Sequence, residues 1–162
     1  MAYPEDERLS PNRDPGGQQA LGVLFHHSEL GFEPTIELML RPESKVSYHC
    51  LIDTDGRRCT LVRDEDIAWH AGASEFLGMS RCNDFLLGVA FAGDTRLAPL
   101  TPDQLASALE WLEARWTKYG WGVDRVTDHR QASPGRKEDL EPGQWAVLQD
   151  AIEARFGGEP TP

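Results

Sequence analysis

The sequence predicts an α/β fold, a single domain with a central mixed β-sheet flanked by helices. Three observations lead there. Apolar runs of strand length and stretches of helical spacing are mixed along the chain. One of those runs, residues 85–91, is apolar throughout, as a strand buried on both faces in the middle of a sheet should be. The length, 162 residues, suffices for one well-buried core and is too short for two.

The elements follow in order. Residues 1–19, rich in Pro, Asn, Gly and charge, read as an extended or loosely held arm before a domain spanning 20–156. Residues 20–25 form an apolar strand that delivers His26 and His27 at its end. Residues 33–40 read as a short helix with Pro34 near its start. Residues 46–52 predict a second strand, Asp55-Gly56 a hairpin turn, and residues 58–62 the returning strand. After the apolar strand at 85–91, Thr101-Pro102-Asp103-Gln104 carries a capping box with Pro at the first helical position. Leu105, Leu109, Leu112 and Trp116 continue that helix at helical spacing, and Gly120 stops it. Residues 123–126 read as a short last strand leading into His129. Trp145, Leu148, Ile152 and Phe156 mark a final helix, and residues 157–162 a frayed tail.

Composition narrows the partners. A net charge of -11 argues against nucleic acid and anionic membranes, which call for a basic surface. No apolar run approaches the ~18 residues of a membrane helix. The N-terminal stretch lacks the basic start and apolar run of a signal peptide. The three cysteines, Cys50, Cys59 and Cys82, are an odd number without CxxC spacing, which fits a reducing compartment, and a cytoplasmic monomer is expected.

The chemistry concentrates in two places. From Asp128 to Asp139 the chain sets His129 and Asp139 at the ends of a loop that Pro134 and Gly135 force to turn, with Lys137 two residues before its end. A histidine and a carboxylate so placed can ligate zinc, and a nearby ammonium can stabilise developing negative charge. Far upstream, His26 and His27 are consecutive on a strand and point to opposite faces, so only one can join a given site. Two histidines and one carboxylate with a fourth position left to water make an open hydrolytic zinc centre. The plainer alternatives are a half-buried, hydrogen-bonded histidine and a loop ion pair. Tyr48 could offer a phenol to an oxyanion, or merely pack across strands. Trp69 and His70, followed by Ala71-Gly72, could contact a ligand or only make a tight turn. Arg81 and Asn83 could hold a substrate's carboxylate or amide, or only cap a loop.

Taken in order, several segments resemble the zinc-dependent N-acetylmuramoyl-L-alanine amidases, whose fold is shared with phage lysozyme-type amidases and peptidoglycan recognition proteins. They are Phe25-His26-His27-Ser28, Val46-Ser47-Tyr48-His49, Asp55-Gly56, Trp69-His70-Ala71-Gly72, Arg81-Cys82-Asn83-Asp84-Phe85, Leu87-Gly88-Val89 and His129 through Asp139. The likeness spans about residues 20–150, and its wording is nearest the branch that recycles cell-wall muropeptides. The resemblance implies a peptidoglycan-recognition-type amidase fold with zinc on His26, His129 and Asp139. It implies Lys137 steadying a tetrahedral intermediate, and Arg81 and Asn83 lining the peptide end of the cleft. The substrate it implies is a muropeptide or peptidoglycan fragment, in the anhydro form. Two positions depart from the recycling pattern. Ala90 stands where that branch has a catalytic Glu, and Tyr48 stands where it has a small residue and the phage branch a catalytic Tyr. The general base is therefore not identified by the resemblance.

Overall fold

A computed structural model of the chain describes residues 3–158. Its strands are β1 (Glu5–Glu7), β2 (Arg13–Asp14), β3 (Gly22–His27), β4 (Cys50–Ile52), β5 (Arg58–Thr60), β6 (Ile67–Ala68), β7 (Glu75–Phe76), β8 (Met79–Ser80), β9 (Leu86–Phe91) and β10 (Val126–Asp128). Its helices are α1 (Phe32–Leu40), α2 (Pro102–Tyr119), α3 (His129–Ala132) and α4 (Pro142–Phe156). Six strands form the central sheet in the order β1-β5-β4-β9-β3-β10. Only the β4–β5 pair is antiparallel, so the sheet is mixed, as the sequence predicts.

Burial explains this order. Every residue of β3 and β9 is buried, and these two strands lie at the heart of the sheet. Their odd-numbered residues, Val23, Phe25, Leu87, Val89 and Phe91, pack with Trp111 and Leu112 of α2 and with Trp145, Leu148 and Ile152 of α4. The opposite face is covered in part by α1, whose Phe32, Ile36 and Met39 meet Leu51, Cys59, Leu61 and Ala90. That face stays open beside His26, because α1 is only nine residues long. It stops at Leu40 because Arg41 precedes Pro42 and takes an extended backbone. On α2 the capping box of Thr101 and Gln104 closes the N-terminus, and Gly120, at φ 68°, closes the C-terminus. The hairpin at Asp55-Gly56 forms as predicted, with Gly56 at φ 89°.

Three segments differ from the sequence reading. The predicted strand at 46–52 pairs only at Cys50–Ile52. Ser47 is drawn off the ladder: its N–H donates to Trp69 O, and its hydroxyl donates to Asn12 O and accepts from Trp69 N. Tyr48 thus lies on an extended connector and not on a strand. Residues 123–125 form a 3-10 turn, closed by Arg125 N–H to Gly122 O, and the strand runs instead over Val126–Asp128. That turn presses so closely on β3 that a Cβ at Gly22 would sit 2.1 Å from Arg125 O. The segment before residue 20 is extended but held: β1 pairs in parallel with β5, and β2 pairs with β6. Buried Arg58 fastens it through an ion pair with Glu5 at 2.9 Å. Gly157 caps α4; of the tail expected to fray, residues 159–162 lie outside the described residues.

Candidate metal centre and cleft

The open end of the sheet places the candidate side chains. Parallel strands β3 and β10 run side by side, with Asp128 in register with Phe25. The residue after each of those, His129 and His26, therefore arrives at the same edge. Asp128, fully buried, caps α3 through Gln131 N–H and also accepts from Leu140 N–H. One carboxylate so ties the start of the loop to its end, and Asp139 is returned beside His129.

The result is a three-donor cluster. His26 Nδ1 and His129 Nδ1 lie 3.1 Å apart, and each is 3.5 Å from a carboxylate oxygen of Asp139. All three residues are buried. Burial lowers the pKa of His26 to about 4, so its ring is neutral at pH 7. Burial alone would push the Asp139 carboxyl up; the adjacent His129 and His26 rings outweigh it and hold Asp139 below the usual carboxylate range. Two imidazoles and an ionised carboxylate, with ligand atoms all within 4.8 Å of one another, are a donor set for a metal ion. His27 points to the other face, as expected, and binds Thr95 there. Its neighbours Glu29 and Asp94 could also gather around a cation, but the Arg96 guanidinium already occupies that role, pairing with both.

The cluster forms the floor of a cleft of about 430 Å³. Tyr48 and Lys137 both line it, and neither side chain hydrogen-bonds to another described residue. The Tyr48 ring lies 5.0 Å from that of His26. Burial first, and the Asp139 charge second, raise the Tyr48 pKa, so the phenol keeps its proton at neutral pH. Trp69 contributes to the cleft wall.

The family comparison bears on this geometry. The family model described as N-acetylmuramoyl-L-alanine amidase matches residues 16–144. The chain belongs to that family. Over 104 residues it is 38% identical to the 1,6-anhydro-N-acetylmuramyl-L-alanine amidase AmpD of Haemophilus influenzae, a match covering 64% of this chain and 55% of the relative. AmpD of Citrobacter freundii is 38% identical over 109 residues, covering 67% of this chain and 58% of that protein. The chain thus spans little more than half the length of the curated relatives it matches. A crystal structure of a selenomethionine AmpD derivative superposes with a TM-score of 0.75 at 28% identity, covering 93% of this chain and 95% of that one.

Within this amidase fold, the remaining residues singled out from sequence take varied places. His70 borders the cleft but engages both ring nitrogens inside the protein, with His26 and with Leu86 O. Asn83 turns its Oδ1 inward to accept from His70 N–H and Ala71 N–H. Arg81 is on the surface, its side chain 81% exposed and paired with Asp84. Two arginines that sequence reasoning passed over shape the site. Arg96 holds Glu138, between Lys137 and Asp139, together with Glu29 and Asp94. Arg136 donates to Ala71 O and Ala73 O and lies over Gly72, where a Cβ would come within 2.9 Å of it. Apart from Asp94, these partners lie tens of residues away, so no local motif announces them.

Proposed function

We propose that this chain is a zinc-dependent amidase that cleaves the amide between the lactyl group of N-acetylmuramic acid, in its anhydro form, and the L-alanine of a peptidoglycan stem peptide. The observation that carries the reading is the cluster of His26, His129 and Asp139 at the floor of the cleft, in a chain of this family. Its dimensions suit zinc. Bonds of ~2.0–2.1 Å to nitrogen and oxygen put two donors of a tetrahedron ~3.3–3.4 Å apart. The separations here are 3.1, 3.5 and 3.5 Å. Three protein donors leave the fourth position to water or substrate.

Zinc bound there supplies an acidified water and polarises the scissile carbonyl. The chain's own residues do the rest. His26 and His129 present unprotonated Nδ1 atoms, and Asp139 adds the one negative charge among the donors. The Tyr48 phenol, kept protonated by burial, and the Lys137 side chain line the same cleft without a side-chain hydrogen bond to another described residue, and suit an oxyanion growing on the amide oxygen. Ala90 offers no carboxylate, so proton handling falls to groups other than that position.

The anhydro-muramyl substrate is supported by the activity named for the Haemophilus and Citrobacter relatives. A cytoplasmic location is supported by three cysteines that are free and buried. No helix among the described residues is long and apolar enough to cross a membrane. The test is a comparison of zinc-loaded protein on soluble anhydro-muramyl peptides and on purified sacculi. Release of free stem peptide from the soluble substrate is expected. Preference for sacculi would favour a wall-lytic amidase, as the phage-type Tyr48 suggests, and cleavage of neither would overturn the proposal.

A further inference from the structure

His70 is held as if its task were to orient another residue. Its Nε2 lies 3.0 Å from the carbonyl oxygen of Leu86, and its Nδ1 lies 2.9 Å from Nε2 of His26. A carbonyl can only accept, so the neutral His70 ring carries its proton on Nε2 and its Nδ1 is an acceptor. The partner nitrogen must then donate: His26 is protonated on Nε2, and its Nδ1 is left with a bare lone pair. That lone pair faces His129 Nδ1 and the Asp139 carboxylate. His129 is fixed in the same sense by one carbonyl, Ala71 O, 2.9 Å from its Nε2.

The surroundings leave His70 little freedom. The ring is pressed onto the backbone of β9 at Gly88, where a Cβ would lie 2.5 Å from its Cγ. The Asn83 carboxamide pins the backbone of His70 and Ala71 through two N–H bonds, of 3.1 and 2.8 Å. The rings of His70 and His26 meet edge-on at 86°. Only 8% of the residue is exposed.

We infer that His70 is a positioning residue for the metal centre: it sets the tautomer and ring plane of His26, and Gly88 and Asn83 exist in this chain to seat it. This rests on the reading that the His26, His129 and Asp139 cluster binds zinc. The assignment gives His70 no contact with the substrate.

The test uses the full chain. Nitrogen-15 NMR of the metal-free protein reports which ring nitrogen of each histidine is protonated, and competition with a chromophoric chelator reports zinc affinity. The wild type is expected to show His26 protonated at Nε2. His70→Phe keeps a ring on Gly88 but removes the acceptor, and should weaken zinc binding by about 10–100-fold. Gly88→Ala, which retains every side chain but displaces the ring, should do the same. His70→Gln can accept from His26 and donate to Leu86 O, and should hold affinity within a few-fold of the wild type. His26 protonated at Nδ1 in the wild type, or His70→Phe binding zinc as tightly as the wild type, would overturn the inference. A wild type that binds no zinc would instead refute the zinc reading, and the NMR tautomer would still judge His70.

Discussion

Ala90 is the residue in register with His26 across the parallel pair of β3 and β9. It is fully buried against Leu51 and the apolar face of α1. A methyl group therefore stands next to the imidazole proposed to hold the metal, where the recycling branch resembled by this sequence would place a carboxylate. On the proposed mechanism, transition-state charge is met from elsewhere in the cleft, where Tyr48 and Lys137 have no side-chain hydrogen bond to another described residue.

Tyr48→Phe and Lys137→Ala should each lower kcat by ~10²–10³-fold, the usual loss when one oxyanion donor is removed. Neither is a ligand, so zinc content by elemental analysis should stay at the wild-type level. Wild-type turnover in both variants would remove them from the mechanism.

Asp139→Ala should behave differently. It removes the one anionic donor and leaves two imidazoles whose nitrogens face each other at 3.1 Å. The variant should emerge from purification without metal. Wild-type protein should gain thermal stability as zinc is added, about 2.7 kcal/mol at a free concentration a hundred times Kd, and Asp139→Ala should gain none. Equal zinc-induced shifts in melting temperature would place the metal elsewhere.

Arg96 joins three carboxylates from distant parts of the chain, and one of them, Glu138, separates Lys137 from Asp139. The guanidinium is 38% exposed, so its pairs add little to global stability. Its effect should lie in geometry. Arg96→Ala should loosen the Lys137–Asp139 segment and lower kcat by up to ~10²-fold through misplacement, with only a small change in urea midpoint. A large fall in stability with kcat intact would assign Arg96 to the scaffold instead.

These residues mark how far the sequence could be read. The central strands, the capped α2 and the opposite facing of His26 and His27 follow from periods of two and of 3.6 and from cap chemistry, all local properties. The connector at Tyr48 and the turn at residues 123–125 were read as strands because their apolar residues suit either state. Long-range bonds decided them: Ser47 to Asn12 and Trp69, and the close approach of Arg125 to Gly22. The site divides the same way. The three donors sit in recognisable segments, whereas Arg96 and the inward turn of His70 and Asn83 depend on packing between segments that no spacing rule joins.

His49, outside the three-donor cluster, supplies a further pH dependence. It is 1% exposed; its Nδ1 accepts from Gly88 N–H at 3.0 Å and its Nε2 lies 2.8 Å from Asp66 O. Both bonds suit the neutral ring, and burial is the main cause that lowers its pKa from 6.5 to about 4. The folded protein therefore binds this proton more weakly than the unfolded chain. Above pH 6.5 neither state is protonated here and His49 adds no slope. As the pH falls from 6.5 towards 4 the unfolded chain takes up the proton first, and the native state loses up to on the order of 3 kcal/mol. Urea unfolding of metal-free protein at about pH 7 and about pH 4.5 measures the total loss, to which the buried His26 and His70 also contribute. His49→Asn can still accept from Gly88 N–H but cannot titrate in this range, so its stability should fall less between the two conditions. An identical fall in both proteins would mean that the acid sensitivity arises from other groups.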